Sequence, residues 1–366
     1  MSLARKVLQW ATPVGSVLVL GVIGAVAVRH HEDRPGPLRA KSAATLVNAV
    51  KDSATSGFSG TVVSASSLKL PAVDESSSLT LFSVVGLLAG AHTARVWYSG
   101  EHKQRIALVD ADGEVDYFRN GSNYWRWDPM HRAAAHVEFP SVAAQDGWTP
   151  MPRVLPEQLA AWAVNAIDAS TTLSVQTPAT VAGRQVYRLE VQPNQTESLI
   201  SRVQVSIDAQ TSTPLGVRVY ARGQAAAAIN VAFTRITFGA PDDANFAFTP
   251  PPGTTATAES SGSTTALTPG GNPQVDEPAQ SVPFQAIAHG TGWQRVVEFT
   301  GGAITHDAPV IATRQDLSAL RPVAGKWGQG RLFASPMVSM LVTEDGRTLV
   351  GSVPPQLLYS ACGTDR

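Results

Sequence analysis

From Gly57 to Phe248 apolar and polar residues alternate with a period of two over most of the chain. The segments "FSGTVVSAS", "HTARVWYSG", "KQRIALVD", "GEVDYFRN", "NYWRWDP" and "AAAHVEFP" are punctuated by Gly, Asn, Asp or Pro, the signature of an antiparallel meander. The rhythm resumes in "TTLSVQT", "RQVYRLEVQP", "SRVQVSIDA", "TPLGVRVYAR" and "AAINVAFTRITF". In "SRVQVSIDA" the alternation puts Val203, Val205 and Ile207 on one face and Gln204, Ser206 and Asp208 on the other. Tyr187, Leu189 and Val191 oppose Arg188 and Glu190 in the same way. A sheet with one apolar and one wetted face needs a cover on the apolar side, and a sandwich buried on both faces is disfavoured. Two segments have helical spacing and supply that cover: Ser42 to Ala54, with Leu46, Val47, Val50 and Ala54 on one stripe, and Val154 to Ile167, with Leu155, Leu159, Trp162 and Ala166. The expected fold class is mainly β with helices, an α+β arrangement of about eleven strands in a large curved antiparallel sheet with helices on one face.

The pattern breaks at both ends of this region. Residues 1–10 carry Arg5 and Lys6, and 11–28 form an uncharged apolar run that as a helix would extend about 27 Å, near a bilayer's hydrocarbon thickness. The leading positive charge predicts a cytoplasmic N-terminus and an extracytoplasmic bulk. The expectation is a signal anchor in a single-pass cell-membrane protein; cleavage after Ala25-Val26-Ala27, giving a secreted form, is the alternative. A polar, Pro-broken spacer covers 29–41 and the sheet domain 42–250. Residues 251–283 are Pro, Gly, Ser and Thr with little to bury, and read as a disordered linker. A small α+β domain follows at 284–366, with a strand at "GWQRVVEF", a helical stretch around "RQDLSAL", a hairpin turning at Asp345-Gly346 and a final helix "PPQLLYSA". Its modest core predicts that it leans on the first domain or on a partner.

Composition removes several function classes. Charged residues are 16% of 366, and 28 basic against 29 acidic side chains offer no broad cationic surface, so nucleic acid is not an expected partner. His30 and His31 adjoin the apolar run, and the other histidines stand singly with no metal-binding array, phosphate loop or nucleophile elbow; no cofactor, metal or catalytic residue is predicted. Asp110, Asp112, Glu114 and Asp116 bunch together as turn chemistry. "GQGRLF" (328–333) reads as a loop and Cys362 as an incidental thiol in a frayed tail. With chemistry absent, binding leads, and a partly closed one-sided sheet lidded by helices would enclose an apolar hollow suited to acyl chains.

The motifs "DYFRNGSNYWRWDP", Ile207-Asp208 with Thr211 and Pro214, and the closing Phe246 to Gly253 "FAFTPPPG" resemble, in order and spacing, the superfamily of the lipoprotein carrier LolA and the sigma-factor regulator RseB, in its actinobacterial-type form. The likeness runs from about Ala43 to Gly253. It implies an unclosed antiparallel β half-barrel with a helical lid, and non-covalent binding of lipid acyl chains or a lipoprotein. "MLVTEDGRTLVGSV" faintly resembles a hairpin of RseB's second domain, which implies as the alternative an envelope sensor acting on a membrane regulatory protein such as an anti-sigma factor. The cavity and lid candidates are Trp125, Trp127, Trp162, Leu159, Val203, Val205, Ile207 and Leu189, with Arg95 and Arg126 as head-group contacts. Trp125 and Trp127 share a strand face, and alternation aims both either into the lidded hollow, as wall or plain core, or out to water as a sugar platform; inward is the expectation.

Overall fold

A computed structural model describes residues 38–53, 55–67, 91–109, 113–138, 151–152, 155–260, 285–300 and 320–363. The apolar run at 11–28, Asp110, Asp112, the stretch 314–319 and most of the expected linker lie outside the described residues.

The first part of the chain is a single twelve-stranded sheet. After helix α1 (Ala43–Lys51) come β1 (Phe58–Ser66), β2 (Ala91–Tyr98), β3 (Lys103–Val109), β4 (Glu114–Asn120), β5 (Asn123–Asp128) and β6 (Ala133–Glu138). Helix α2 (Pro156–Asn165) then precedes β7 (Thr171–Val181), β8 (Arg184–Pro193), β9 (Ile200–Asp208), β10 (Pro214–Ala221), β11 (Ile229–Phe238) and β12 (Thr255–Ser260). The strand order is β12-β6-β5-β4-β3-β2-β1-β11-β10-β9-β8-β7, two meanders joined through the β1–β11 pair. The edges β12 and β7 do not pair, so the sheet is unclosed. Curvature is strong: β7 and β11 are four places apart, about 19 Å in a flat sheet, yet Cα atoms of the two come within 8 Å. The architecture is therefore the expected unclosed half-barrel of mainly β structure with helices.

Ser42 caps α1 by accepting the Thr45 N–H at 3.1 Å. Pro156 opens α2, where its missing N–H costs no helical bond, and Gln158 Oε1 accepts the Leu155 N–H at 3.2 Å. Helix α1 packs on β7, β8 and α2, and α2 packs on β10 and β11.

Three features of the fold depart from the sequence reading. One strand more than expected joins the sheet, because residues 255–260, placed in the linker, run parallel to β6 and extend the edge. No strong apolar pattern marks "TATAES"; main-chain pairing with β6 recruits it, with the Thr257 hydroxyl donating to the Ala134 carbonyl at 3.4 Å. The chain reaches that edge by crossing the sheet from the end of β11. Along this strap a 3-10 turn (Asp243–Phe246) lies against β3 and β4. Lys103 pairs with Asp243 at 2.8 Å, and Arg132 donates to the Pro252 and Gly253 carbonyls at 2.5 and 3.3 Å.

The second part is a six-stranded sheet, β13-β14-β18-β17-β16-β15, from β13 (Gln285–His289), β14 (Val296–Thr300), β15 (Arg321–Gly325), β16 (Gly328–Ala334), β17 (Ser339–Thr343) and β18 (Thr348–Gly351), covered by α3 (Pro355–Gly363). The hairpin at Asp345-Gly346 and the final helix stand where expected, with Gly346 at φ 90°. "GQGRLF" is strand β16 rather than a loop; a Cβ on Gly330 would collide with the Val342 carbonyl, so glycine here permits close strand approach. Cys362 is 1% exposed, packed with Trp327, Leu341 and Leu349, and Arg347 bonds its carbonyl at 3.0 Å; the tail is core, not frayed. Glu298 is buried between His289 Nε2 at 2.7 Å and Arg347 Nη1 at 3.5 Å.

Candidate ligand-binding face

Strand pairing assigns every side chain of the large sheet to one of two faces, since directly paired residues point the same way. The inner face carries Phe58, Val62, Ala94, Val96, Ile106, Phe233, Val231, Leu215, Val217, Val203, Val205, Ile207 and Leu189, all nearly sealed from solvent. The helices lie on this side: α1 buries Leu46, Val47 and Val50, and α2 buries Ala160, Ala163 and Val164. Val203, Val205, Ile207 and Leu189 stand on the inner face, each at 0–1% exposure, and Leu159 is half-buried on α2.

Trp125 and Trp127 do not. Trp125 pairs with Phe118 and Trp127 with Asp116; Phe118 pairs with Arg105, and Arg105 with Trp97, which places all six on the outer face. Tyr124, 6% exposed, just before them, and Arg126, between them, point to the inner face. The two indoles are neither cavity wall nor open platform, because the strap lays Phe248 over them. Phe248 stacks on Phe118 at 4.8 Å and tilts against Trp125 at 5.4 Å and Trp127 at 5.8 Å, while His136 stacks on Trp125 at 4.2 Å. Arg105 sits over both Trp97 and Phe118 and pairs with buried Asp116 at 2.9 Å.

Arg95 is also an outer residue, bound to both oxygens of Glu114 at 2.6 Å, so it is not a free head-group contact. Arg126 does face inward, paired with Ala135, and its one ion pair among the described residues is with Asp128 at 3.9 Å. At Asp128, burial is outweighed by hydrogen bonds from His131 and by the positive charges of His131 and Arg126, which hold its carboxyl below the usual range. Trp162 is not an inner lid contact. It is 44% exposed and meets Trp293 of the second sheet edge to face, at 5.8 Å and 87°.

That contact belongs to a docking site. Trp293 Nε1 donates to Thr171 Oγ1 at 2.9 Å, Gln195 Oε1 accepts the Trp293 N–H at 2.8 Å, and Leu199 N–H donates to the Ser352 carbonyl at 2.8 Å. Gly292, at φ 57°, lets the backbone lie against Asp168, Ser170 and Gln195. Through these contacts the second sheet's domain leans on the first.

One inner-side group escaped the sequence reading. Glu157, in the first turn of α2, has an Oε1 sealed from solvent with no hydrogen-bond partner. Burial pushes its carboxyl up to about 7. Burial, with the Glu157 and Glu101 carboxyls adding, also raises the phenol of Tyr98, an inner-face residue stacked on Phe58 at 5.2 Å. An acid at helix position two is commonplace, so only the packing could single it out.

Among the described residues no group of three or more His, Cys, Asp or Glu could hold a metal, and no helix is long and apolar enough to cross a membrane.

No family model matches the chain, and no curated protein matches it. Solved structures do. The Pseudomonas aeruginosa MucA/MucB complex is similar at 15% identity, over 87% of this chain and 96% of that chain, with a TM-score of 0.41. A LolA superfamily protein from Nitrosomonas europaea is similar at 10% identity, over 57% and 99%, with a TM-score of 0.22. A DUF1329 family protein from Desulfovibrio piger is similar at 10% identity, over 57% and 98%, with a TM-score of 0.23.

Proposed function

We propose that this chain is an extracytoplasmic, membrane-anchored lipid- or lipoprotein-binding protein that holds acyl chains non-covalently on the inner face of the half-barrel. The observation that carries this reading is the sidedness of the sheet. Its inner face is apolar from Leu189 on β8 across Phe233 on β11 to Ile106 on β3, while the arginine pairs gather outside. Helices α1 and α2, of 9 and 10 residues, are short beside a curved wall of twelve strands. Such a wall suits hydrocarbon, whose binding needs apolar area and few polar contacts. Arg126 and Arg119 are inward cations available for a head group, and the run at 11–28 supplies the anchor in this account.

Native mass spectrometry of the chain from Ser42 onward tests it. Co-purified acyl ligands, or stoichiometric uptake of an added phospholipid, are the expected result; a ligand-free protein that takes up neither would contradict it.

A regulatory reading is favoured by one observation, the docking of the second domain on the C-terminal half of α2 through Trp293. In that reading the protein is an envelope sensor that contacts a membrane regulatory protein. A stoichiometric protein partner lost on deleting residues 284–366 would support it.

A further inference from the structure

Buried acids elsewhere in the structure have cations. Asp116 has Arg105 at 2.9 Å, Asp208 has Arg184 at 2.6 Å, and Glu298 has His289 at 2.7 Å and Arg347 at 3.5 Å. Glu157, half-buried as a residue, has no such cation and keeps one oxygen, Oε1, sealed and unbonded. Negative charge on that oxygen is costly, because its hydration is removed and no hydrogen bond replaces it.

Among the described residues the surroundings offer no remedy. Tyr98 from β2 is the titratable group on which Glu157 acts, with Glu101 in the following turn acting on the same phenol, and neither brings positive charge. Glu157 is the one charged residue of α2 itself. Of the elements packed on α2, α1 contributes Lys51 at its exposed end. Arg218 of β10 and Arg235 of β11 point to the outer face, away from the helix. The opposite end of α2 is held: Trp162 lies against Trp293, which is bonded to Thr171.

We propose that α2 is a proton-gated lid, closed on the inner face while Glu157 carries a proton and released at its N-terminal end when Glu157 ionises, with the Trp162–Trp293 contact as the fixed end. The proposal rests on the lipid-binding reading for what the lid admits. Closure and proton uptake are coupled because the closed form seals Oε1 and the open form hydrates it. The carboxyl's elevation to about 7 by burial sets the range. With the open form at the ordinary value, the opening constant rises about thirtyfold between pH 5.5 and 8.5.

The test is hydrogen exchange of the α2 amides in the full chain in a nanodisc, at pH 5.5 and 8.5 and corrected for intrinsic rates, beside uptake of a fluorescent dodecyl ester whose charge does not vary with pH. The wild-type chain should lose about thirtyfold protection in the first turns of α2 at pH 8.5, with residues near Trp162 changing less. Glu157→Gln should remain protected at both pH values, and Glu157→Leu should do the same if the amide variant folds poorly. Equal protection at both pH values in the wild type, or the same pH response in the variants, overturns the proposal. If exchange responds to pH but the ester is never taken up, the gate stands and the lipid-binding reading falls. If the ester is taken up equally at both pH values with flat exchange, the gate falls and lipid binding stands.

Discussion

Trp125 and Phe248 touch at 5.4 Å on the outer face of the sheet, although 122 positions of sequence separate them, and through that contact the strap closes over the indole pair. Removing Phe248 takes away the ring shared by Phe118, Trp125 and Trp127. Phe248→Ala should cost about 3 kcal/mol and red-shift tryptophan emission as the indoles become wet. Denaturant unfolding followed by fluorescence checks both, and lipid uptake on the inner face should be unchanged.

Trp293 makes its contacts across two domains. Trp293→Ala leaves Thr171 Oγ1 without the indole donor and strips the ring from Trp162, while the backbone N–H that Gln195 Oε1 accepts is kept. A single calorimetric transition in the wild type should split into two, the second domain melting first with a loss of about 3 kcal/mol.

Asp208 is 1% exposed and accepts from Arg184 at 2.6 and 3.0 Å and from Thr211 at 2.8 and 2.9 Å. Burial opposes its charge, yet these bonds outweigh it and hold the carboxyl below the ordinary range. With the folded value depressed, the stabilisation is present above the unfolded value of about 4 and is lost as pH falls through the folded one. Asp208→Asn should cost about 3 kcal/mol at pH 7, and its deficit against the wild type should shrink in acid. Urea midpoints at pH 7 and pH 3 measure this.

Glu157 carries the opposite sign. Its folded value, raised to about 7, means that the closed form binds the proton more tightly than the unfolded chain does. Stability is highest below the unfolded value of about 4.5 and declines as pH rises through 7, by at most about 3 kcal/mol. Glu157→Gln should therefore stabilise the protein at pH 8 and leave it unchanged at pH 4.5, as thermal melts would show.

What alternation encodes explains which of these features could be read in advance. Val203, Val205 and Ile207 against Gln204 and Ser206 fix two faces, and the helical stripes of Leu46, Val47 and Val50 identify their cover, so the one-sided sheet was legible. The absolute side of Trp125 and Trp127 was not. β4 and β5 carry aromatics on both faces, with Tyr117 and Tyr124 opposing Phe118, Trp125 and Trp127. Only the ring of Phe248, brought back by a strap of Pro and Thr, makes the outer side dry. β12 and β16 were missed because their strand character lies in the backbone: "TATAES" has no apolar face, and "GQGRLF" has glycines where β17 passes closest. Glu157 was invisible for a related reason, since its state is set by what seals it rather than by its neighbours in sequence.

The central claim is that hydrocarbon lies against the inner face and not the aromatic outer one. Photolabelling with a diazirine-bearing fatty acid, followed by peptide mapping, separates the two. Adducts on Val96, Tyr98, Ile106 or Tyr124 are the result this account predicts; adducts confined to Trp97, Trp125, Trp127 or Phe248, or none above background, would contradict it.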